Sequence, residues 1–348
     1  MTNGTPSRVG QIGGAGDVEA LWLKIFAGEV LTAYDTAKKL KPTVRVRQIS
    51  SGKSAQFPAT WDAVARYHTP GTVITGQTIR HNEVVVTLDD LLIAPTEIAQ
   101  IDELKNHYDV RGPYAEALGR ALALFEDRTI AQCIAAAAAG AALFTGDVGG
   151  ATVVQTDVGM SANFNTSGTD LISAVNLAKQ KLDEAEVPID TMPVNAVFKP
   201  AQWYLIANSD KNLNRDFGGS GSLQSNTLRT VSDITIHKSN APLFGFDVTE
   251  YDAGTNTDGI VANSGGDVAS TVPMHGGLPT GYPTKYRRDL TNYRGLVWCE
   301  PAVAYLQLLG LQMESEWDVR RQVTLMLAKM AIGMGPLRSK AAVAIRTT

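Results

Sequence analysis

Five histidines come first among residues whose chemistry depends on spacing: His68, His81, His107, His237 and His275. None stands four residues from another, none forms an HExxH pattern, and none joins a Cys/His cluster, so the ligand spacing of a zinc site is missing. His107, read at the end of a helix, suits a partner of the helix dipole better than a ligand. The two cysteines, Cys133 and Cys299, lie far apart and form no CxxC pair. They exclude a disulfide framework and suit a reducing compartment. Cys133 falls in an alanine-rich helical stretch, where cysteine acts as a small hydrophobe rather than a nucleophile. Asp89-Asp90 and Glu314-Ser315-Glu316 are carboxylate pairs of the ordinary solvated kind. Gly13-Gly14-Ala15-Gly16 follows no strand, so it does not read as a dinucleotide turn. Gly52-Lys53-Ser54 imitates the end of a phosphate-binding loop, but Arg47 occupies the required first glycine and Gln56-Phe57-Pro58 replaces the helix. No catalytic, cofactor-binding or metal-ligating set is expected, and no cofactor.

Composition and pattern set the elements that would position such groups. The chain has 348 residues, 44% hydrophobic and 19% charged, enough for a sizeable core in two packed units or one large one with appendages. Lys plus Arg total 31 against 35 for Asp plus Glu, a net charge of −4. That balance argues against a protein that grips nucleic acid through its phosphates. Residues 1–16 lack the basic and apolar regions of a signal peptide. The longest apolar run, Cys133 to Phe144, falls short of the ~20 residues that span a bilayer. A soluble protein with no membrane partner is expected.

Along the chain, a Gly/Ser/Thr/Asn-rich arm over 1–16 precedes a helix from Asp17 to Ala33. Val44 to Ile49 alternates as a strand with one basic face. Residues 50–90, punctuated by Pro58, Pro70, Gly71 and Gly76, read as a long extended hairpin, weakly apolar for its length. Such an excursion is odd inside a compact domain and natural as an arm on a neighbouring subunit. Pro95 to His107 reads as a short amphipathic helix. Gly112-Pro113 opens the longest helix, with a stripe of Tyr114, Leu118, Ala121, Leu122 and Phe125 running through Cys133 to a stop at Gly140. A helix over Asp170–Glu186, a strand over Asn195–Phe198, a helix over Pro200–Asn208 and strands at Ile234–Ile236 and Phe246–Val248 follow. Polar loops cover Lys211–Asn226 and Asp252–Pro283, and residues 296–346 return to apolar, mostly extended chain. Without βαβ alternation, α+β is the expected class.

Three blocks that fail as enzyme motifs carry a resemblance: GEVLTAY at Gly28–Tyr34, ISSGKSAQFP at Ile49–Pro58 and NHYDVR at Asn106–Arg111. In this order and spacing, with the closing segment Ala328–Arg338, the chain resembles the major capsid proteins of T7-like podophages, which have the Hong Kong 97 phage fold. The resemblance spans about residues 17–346; between 140 and 290 it rests on element order only. Arg338-Ser339-Lys340-Ala341 stands where that family usually has Arg-Pro-Glu-Ala.

The resemblance implies an α+β Hong Kong 97-type capsid fold. Its parts would be an N-terminal arm and short helix (1–49), an extended loop over the adjacent subunit (50–90), a peripheral domain with a long spine helix (91–166), an axial domain (167–300) and a return to the peripheral domain (301–348). Val323 to Met334 fits either period, and the family favours the extended one. The implied function is self-assembly into pentamers and hexamers forming an icosahedral shell around double-stranded DNA, held without sequence-specific binding. A separate scaffolding protein during assembly, a portal at one vertex, residence in the virion and assembly in the host cytoplasm are implied with it. Lys53, Phe57, Trp61, Arg66 and Tyr67 are the expected inter-subunit contacts, with the aromatics left uncovered by their own domain. An encapsulin-like nanocompartment shell is the alternative of the same fold. A hydrolase would need the constellation that is missing.

Overall fold

A computed structural model describes residues 29–35, 37–61, 63–99, 111–209, 230–246, 248, 260–262, 268–270 and 282–348. The glycine-rich arm, the start of the first helix, residues 100–110, the polar loop 211–226 and most of 252–283 lie outside them. The chain divides into two compact units, one of residues 1–38, 89–127 and 307–332, the other of 39–88, 128–306 and 333–348.

In the first unit, residues 29–35 are helical and bury Val30 and Tyr34. Their partner is the first half of helix α1 (Arg111–Ala138). The buried face of α1 here is Ala115, Gly119, Leu122 and Ala123, whereas Tyr114 and Ala121 of the expected stripe are exposed. Small residues face inward because the helices approach closely: a Cβ on Gly119 would lie 2.5 Å from the Val30 carbonyl oxygen. Tyr34 donates its hydroxyl hydrogen to the buried Glu126 carboxylate.

The same unit carries β4 (Leu92–Ala99) and most of β12 (Val303–Asp318) and β13 (Val323–Pro336). β13 pairs antiparallel with β4, from Val323 opposite Ala99 to Met330 opposite Leu92. Met326, Ala328, Met330 and Ile332 are buried at every second position, so period 2 decides a segment whose sequence fits either structure. The helix expected from Pro95 is wrong where the structure describes it. Residues up to Ala99 form a strand at the sheet edge, where proline withholds no ladder hydrogen bond. The rest of that expected helix lies outside the described residues.

The second unit is built on a six-stranded mixed sheet, ordered β5-β14-β11-β6-β8-β7. These are β5 (Ala151–Val154), β6 (Val194–Phe198), β7 (Thr230–Val231), β8 (Ile234–Lys238), β11 (Tyr293–Cys299) and β14 (Ala342–Arg346). β6 is buried at every position, and β14 at all but its last, as apolar runs in the middle of a covered sheet should be. Helix α2 (Gly168–Glu184) packs on β5 and β14. Ser167 caps it, its hydroxyl accepting from the Asp170 N–H at 3.2 Å, and Leu171, Val175, Ala178 and Leu182 form its buried stripe. Helix α3 (Pro200–Ala207) follows β6, and β6 pairs parallel with β8. One βαβ crossover is therefore present among the described residues, short of the repeated alternation that would make the fold α/β. Phe246 and Val248, expected in a strand, are not in one. Gly245 turns the chain at φ +87°, and isolated backbone bonds to Leu290 replace a ladder. The rest of α1 is closed in on all faces over 126–135, which explains why its pattern is only weakly amphipathic. No helix among the described residues is long and apolar enough to cross a membrane.

Candidate assembly surface

Strands β2 (Ser54–Thr60) and β3 (His81–Thr87) form a two-stranded antiparallel ribbon, in register from Ser54 opposite Thr87 to Thr60 opposite His81. Strict alternation sets its faces. Ala55, Phe57 and Ala59 are buried, while Ser54, Gln56, Pro58 and Thr60 are exposed. Ala55 and Phe57 belong to a cluster with Val86, Ala304, Leu306 and Leu337, flanked by Ile49, Val84 and Leu88. Arg47 lies over the Phe57 ring, 5.4 Å from its centroid, and donates to the Gln56 carbonyl at 2.7 Å.

A second set of contacts fastens the ribbon's far end. The Trp61 ring packs on Phe144 at 5.1 Å, Arg80 donates to the Thr145 carbonyl at 3.1 Å, and Asn82 donates to that of Leu143 at 2.9 Å. Beside them Lys340 pairs with Asp147 at 3.3 Å.

Past Trp61 the character changes. Residues 63–80 are exposed throughout and have no regular strand. The two limbs are held to each other by Val64 N–H to the Gln77 side chain at 3.2 Å and by Arg66 to the carbonyl and hydroxyl of Thr75. A turn closes the tip, with Thr72 N–H donating to the Thr69 carbonyl at 3.2 Å and Gly71 at φ +93°. On this excursion Tyr67 is fully exposed, and Val64, Val73 and Ile74 are 71%, 87% and 75% exposed.

The five expected contact residues therefore divide. Phe57 is packed into its own chain, 6% exposed, which corrects the expectation that it is uncovered; its neighbours come from residues some 250 positions away in sequence. Trp61 is partly covered by Phe144. Arg66 braces the excursion, Tyr67 stands free on it, and the exposed Lys53 offers its carbonyl to the Leu88 N–H at 2.8 Å. Sequence reasoning missed Val64, Val73 and Ile74, although a β-branched pair between Gly71 and Gly76 was the available signal.

His237 in β8 meets the Asn195 side chain at 3.2 Å, and burial with the nearby Lys39 charge lowers its pKa. Cys133 and Cys299 are both buried, and burial pushes the Cys299 thiol up to about 11. His107 and His275 lie outside the described residues. Among the described residues no three His, Cys, Asp or Glu side chains gather as a metal site would require.

A sequence model of the Gp10A-like family, described as major capsid protein, matches residues 56–346. The major capsid protein of Escherichia phage T7 is 31% identical over 95% of this chain and 93% of its own length. That of Enterobacteria phage T3 is 30% identical over 95% and 92%. Among solved structures, the capsid of cyanophage P-SCSP1u has a TM-score of 0.69 at 32% identity and covers 99% of both chains. A virus-like particle from Pyrococcus furiosus shares the fold alone, with a TM-score of 0.51 at 11% identity. The sequence relatives thus lie on the phage branch, and the encapsulin-like alternative is not favoured. On these matches this chain belongs to the Gp10A-like family of phage major capsid proteins, the shell-forming proteins of the virion.

Proposed function

We propose that the chain assembles as pentamers and hexamers into an icosahedral shell, with residues 61–80 of each copy lying on the adjacent copy. The observation that carries this reading is the uncovered set Val64, Tyr67, Val73 and Ile74 on an excursion with no core of its own. Exposed apolar residues grouped in this way mark contact surfaces. The domain division of the sequence reading, with 50–90 as the extended loop and α1 as the spine of a peripheral domain, belongs to the same proposal. The role is assembly and not catalysis. A scaffolding protein would direct assembly in the host cytoplasm, and a portal would occupy one vertex.

The shell would enclose double-stranded DNA without reading it. Three of the cations in residues 311–348 already face carboxylates of their own chain: Arg321 meets Glu97 at 2.8 Å, Lys340 meets Asp147 at 3.3 Å, and Lys329 pairs with Glu314. Free subunits should bind duplex DNA no more tightly than about 10⁻⁴ M at physiological salt, without sequence preference.

The test replaces the tip residues and leaves the ribbon alone. Tyr67→Ala with Val73→Ser and Ile74→Ser should abolish shells in negative-stain images and sedimentation. Melting of the subunit should hold to within about 0.5 kcal/mol, because nothing among the described residues covers these side chains. Shells of normal yield from the triple variant would refute the reading.

A further inference from the structure

A second surface combines charge with apolar wall. A groove of roughly 340 Å³ is lined by Arg45 and Arg47 of β1 (Arg45–Gln48), Phe57 and Pro58 of β2, and Leu337 and Arg338. Phe57 and Leu337 are buried in the cluster beneath and back the groove, whose accessible apolar surface is Val46, 42% exposed, and the exposed Pro58. Arg47 is held over the Phe57 ring and on the Gln56 carbonyl. Arg45 and Arg338 are exposed, and their side chains make no hydrogen bond or ion pair among the described residues. Guanidinium groups beside an apolar surface fit a carboxylate that arrives next to an aromatic ring: the planar fork binds the oxygens and the wall takes the ring.

The chain presents that combination itself. At the end of β12, before the turn 319–322, Trp317 is 39% exposed and Val319 67%. Asp318 holds the turn by accepting the Arg320 N–H at 2.8 Å, and Arg321 is engaged with Glu97. Glu316 is exposed and has no partner among the described residues. The tip therefore offers one uncommitted carboxylate beside an exposed indole.

We infer that the Glu316–Trp317 tip of one copy docks in the Arg45/Arg47/Arg338 groove of a second copy. The contact is heterologous, tip of one to groove of the next, the kind that propagates until geometry closes it into a shell. Charge complementarity selects this occupant. A duplex backbone would use the arginines and leave the Val46 and Pro58 surface unused, and a chain of net charge −4 is a poor holder of phosphates. The inference rests on the shell-forming reading and adds a specific junction to it.

The experiment is a charge swap in the full chain. The groove variant is Arg45→Glu with Arg338→Glu, and the tip variant is Glu316→Arg. Each should raise the protein concentration needed for shell formation by about tenfold or more, since like charges then face each other across the junction. Both sets of changes in one chain should restore assembly. Melting of each variant should match wild type, because the altered side chains have no partners among the described residues. Singly altered proteins that assemble like wild type overturn the inference, whatever their DNA content, and so does a combined variant that stays defective. A failure of the shell-forming reading would look different, because wild-type protein itself would then give no shells.

Discussion

Phe57→Ala separates packing from assembly. The ring is 6% exposed and surrounded by Ala55, Val86, Ala304, Leu306 and Leu337. Removing a buried phenylalanine costs about 3–5 kcal/mol when the site cannot collapse. Two of these neighbours are alanines with little reach to refill the space, but the cluster is small and lies under a ribbon, so about 3 kcal/mol is the fitting figure. The Arg47 contact over the ring face adds roughly 0.5–1 kcal/mol. The loss should appear where the ring acts, as opening of β2 from its cluster. At about 1.4 kcal/mol per factor of ten, 3 kcal/mol is roughly a hundredfold or more in the opening equilibrium. Hydrogen exchange read by mass spectrometry on peptides covering 54–60 and 81–87 should accelerate by that factor in the unassembled subunit. Tyr67→Ala, by contrast, should leave the same peptides within about twofold of wild type, because its ring touches nothing at home. If Phe57→Ala leaves β2 protection intact, or Tyr67→Ala lowers it as much, the assignment of one aromatic to the core and the other to the interface is wrong.

Gly119→Ala pits helix propensity, which favours alanine by about 1 kcal/mol, against a Cβ placed 2.5 Å from the Val30 carbonyl oxygen. Backbone cannot yield as a side chain tip can, so overpacking of about 1–3 kcal/mol should win and thermal melting should fall. Tyr34 gives a pH dependence. Burial first, then the Glu126 carboxylate that its hydroxyl faces, hold its phenol far above the ordinary value of about 10. A raised folded pKa stabilises fully below the unfolded value and is lost as pH rises past it. Stability should therefore fall above about pH 10, and Tyr34→Phe should flatten that alkaline limb in denaturant titrations. Cys133 and Cys299 are buried, so neither should react with a thiol reagent until the subunit is unfolded, and both should react afterwards.

What the sequence made legible was local. Helix α2 announces itself by Leu171, Val175, Ala178 and Leu182 at helical spacing, with Ser167 before it and Pro188 after it. Helix α1 is plain from its proline start, glycine stop and length, but its inward face is not. That face is chosen by the helix over 29–35, which needs Gly119 where composition shows only a weak helix former. The strand β4 was misread because Pro95 suits the first turn of a helix, and only its place at a sheet edge makes it suit a strand. Alternation already separates the Ala55-Phe57-Ala59 face of β2 from its Ser54-Gln56-Pro58-Thr60 face, but no local pattern says what covers the apolar one: Ala304, Leu306 and Leu337 lie beneath Ala55 and Phe57. The family motifs have a physical reading here too. Of the block 28–34, Val30 and Tyr34 are the buried pair against α1, and ISSGKSAQFP runs into the packed half of the ribbon. They mark packing rather than chemistry, which is why they fail as enzyme motifs.

Placing Phe57 at home strengthens the case for an inter-subunit role farther out. A ribbon with no anchor would have to be ordered along its whole length on meeting a neighbour, at about 1–2 kcal/mol of backbone entropy per residue. Here the cluster under β2 and the Trp61–Phe144 contact already order both strands. Within the excursion, Arg66–Thr75 and Val64–Gln77 tie one limb to the other, so what a neighbour must still order is small. The apolar side chains it would cover, Tyr67, Val73 and Ile74, carry about 1.5–3 kcal/mol each on full burial. The balance favours association only because the base is folded beforehand. The same logic ranks the damage expected along the ribbon. Substitutions at 55, 57 or 86 should injure the subunit first and the shell as a consequence, whereas those at 67, 73 or 74 should injure the shell alone. A scan of both sets, scored for subunit melting and for shell yield, should therefore fall into two groups that meet at Trp61. A scan in which the two scores track each other along the whole ribbon would mean that base and tip fold as one element.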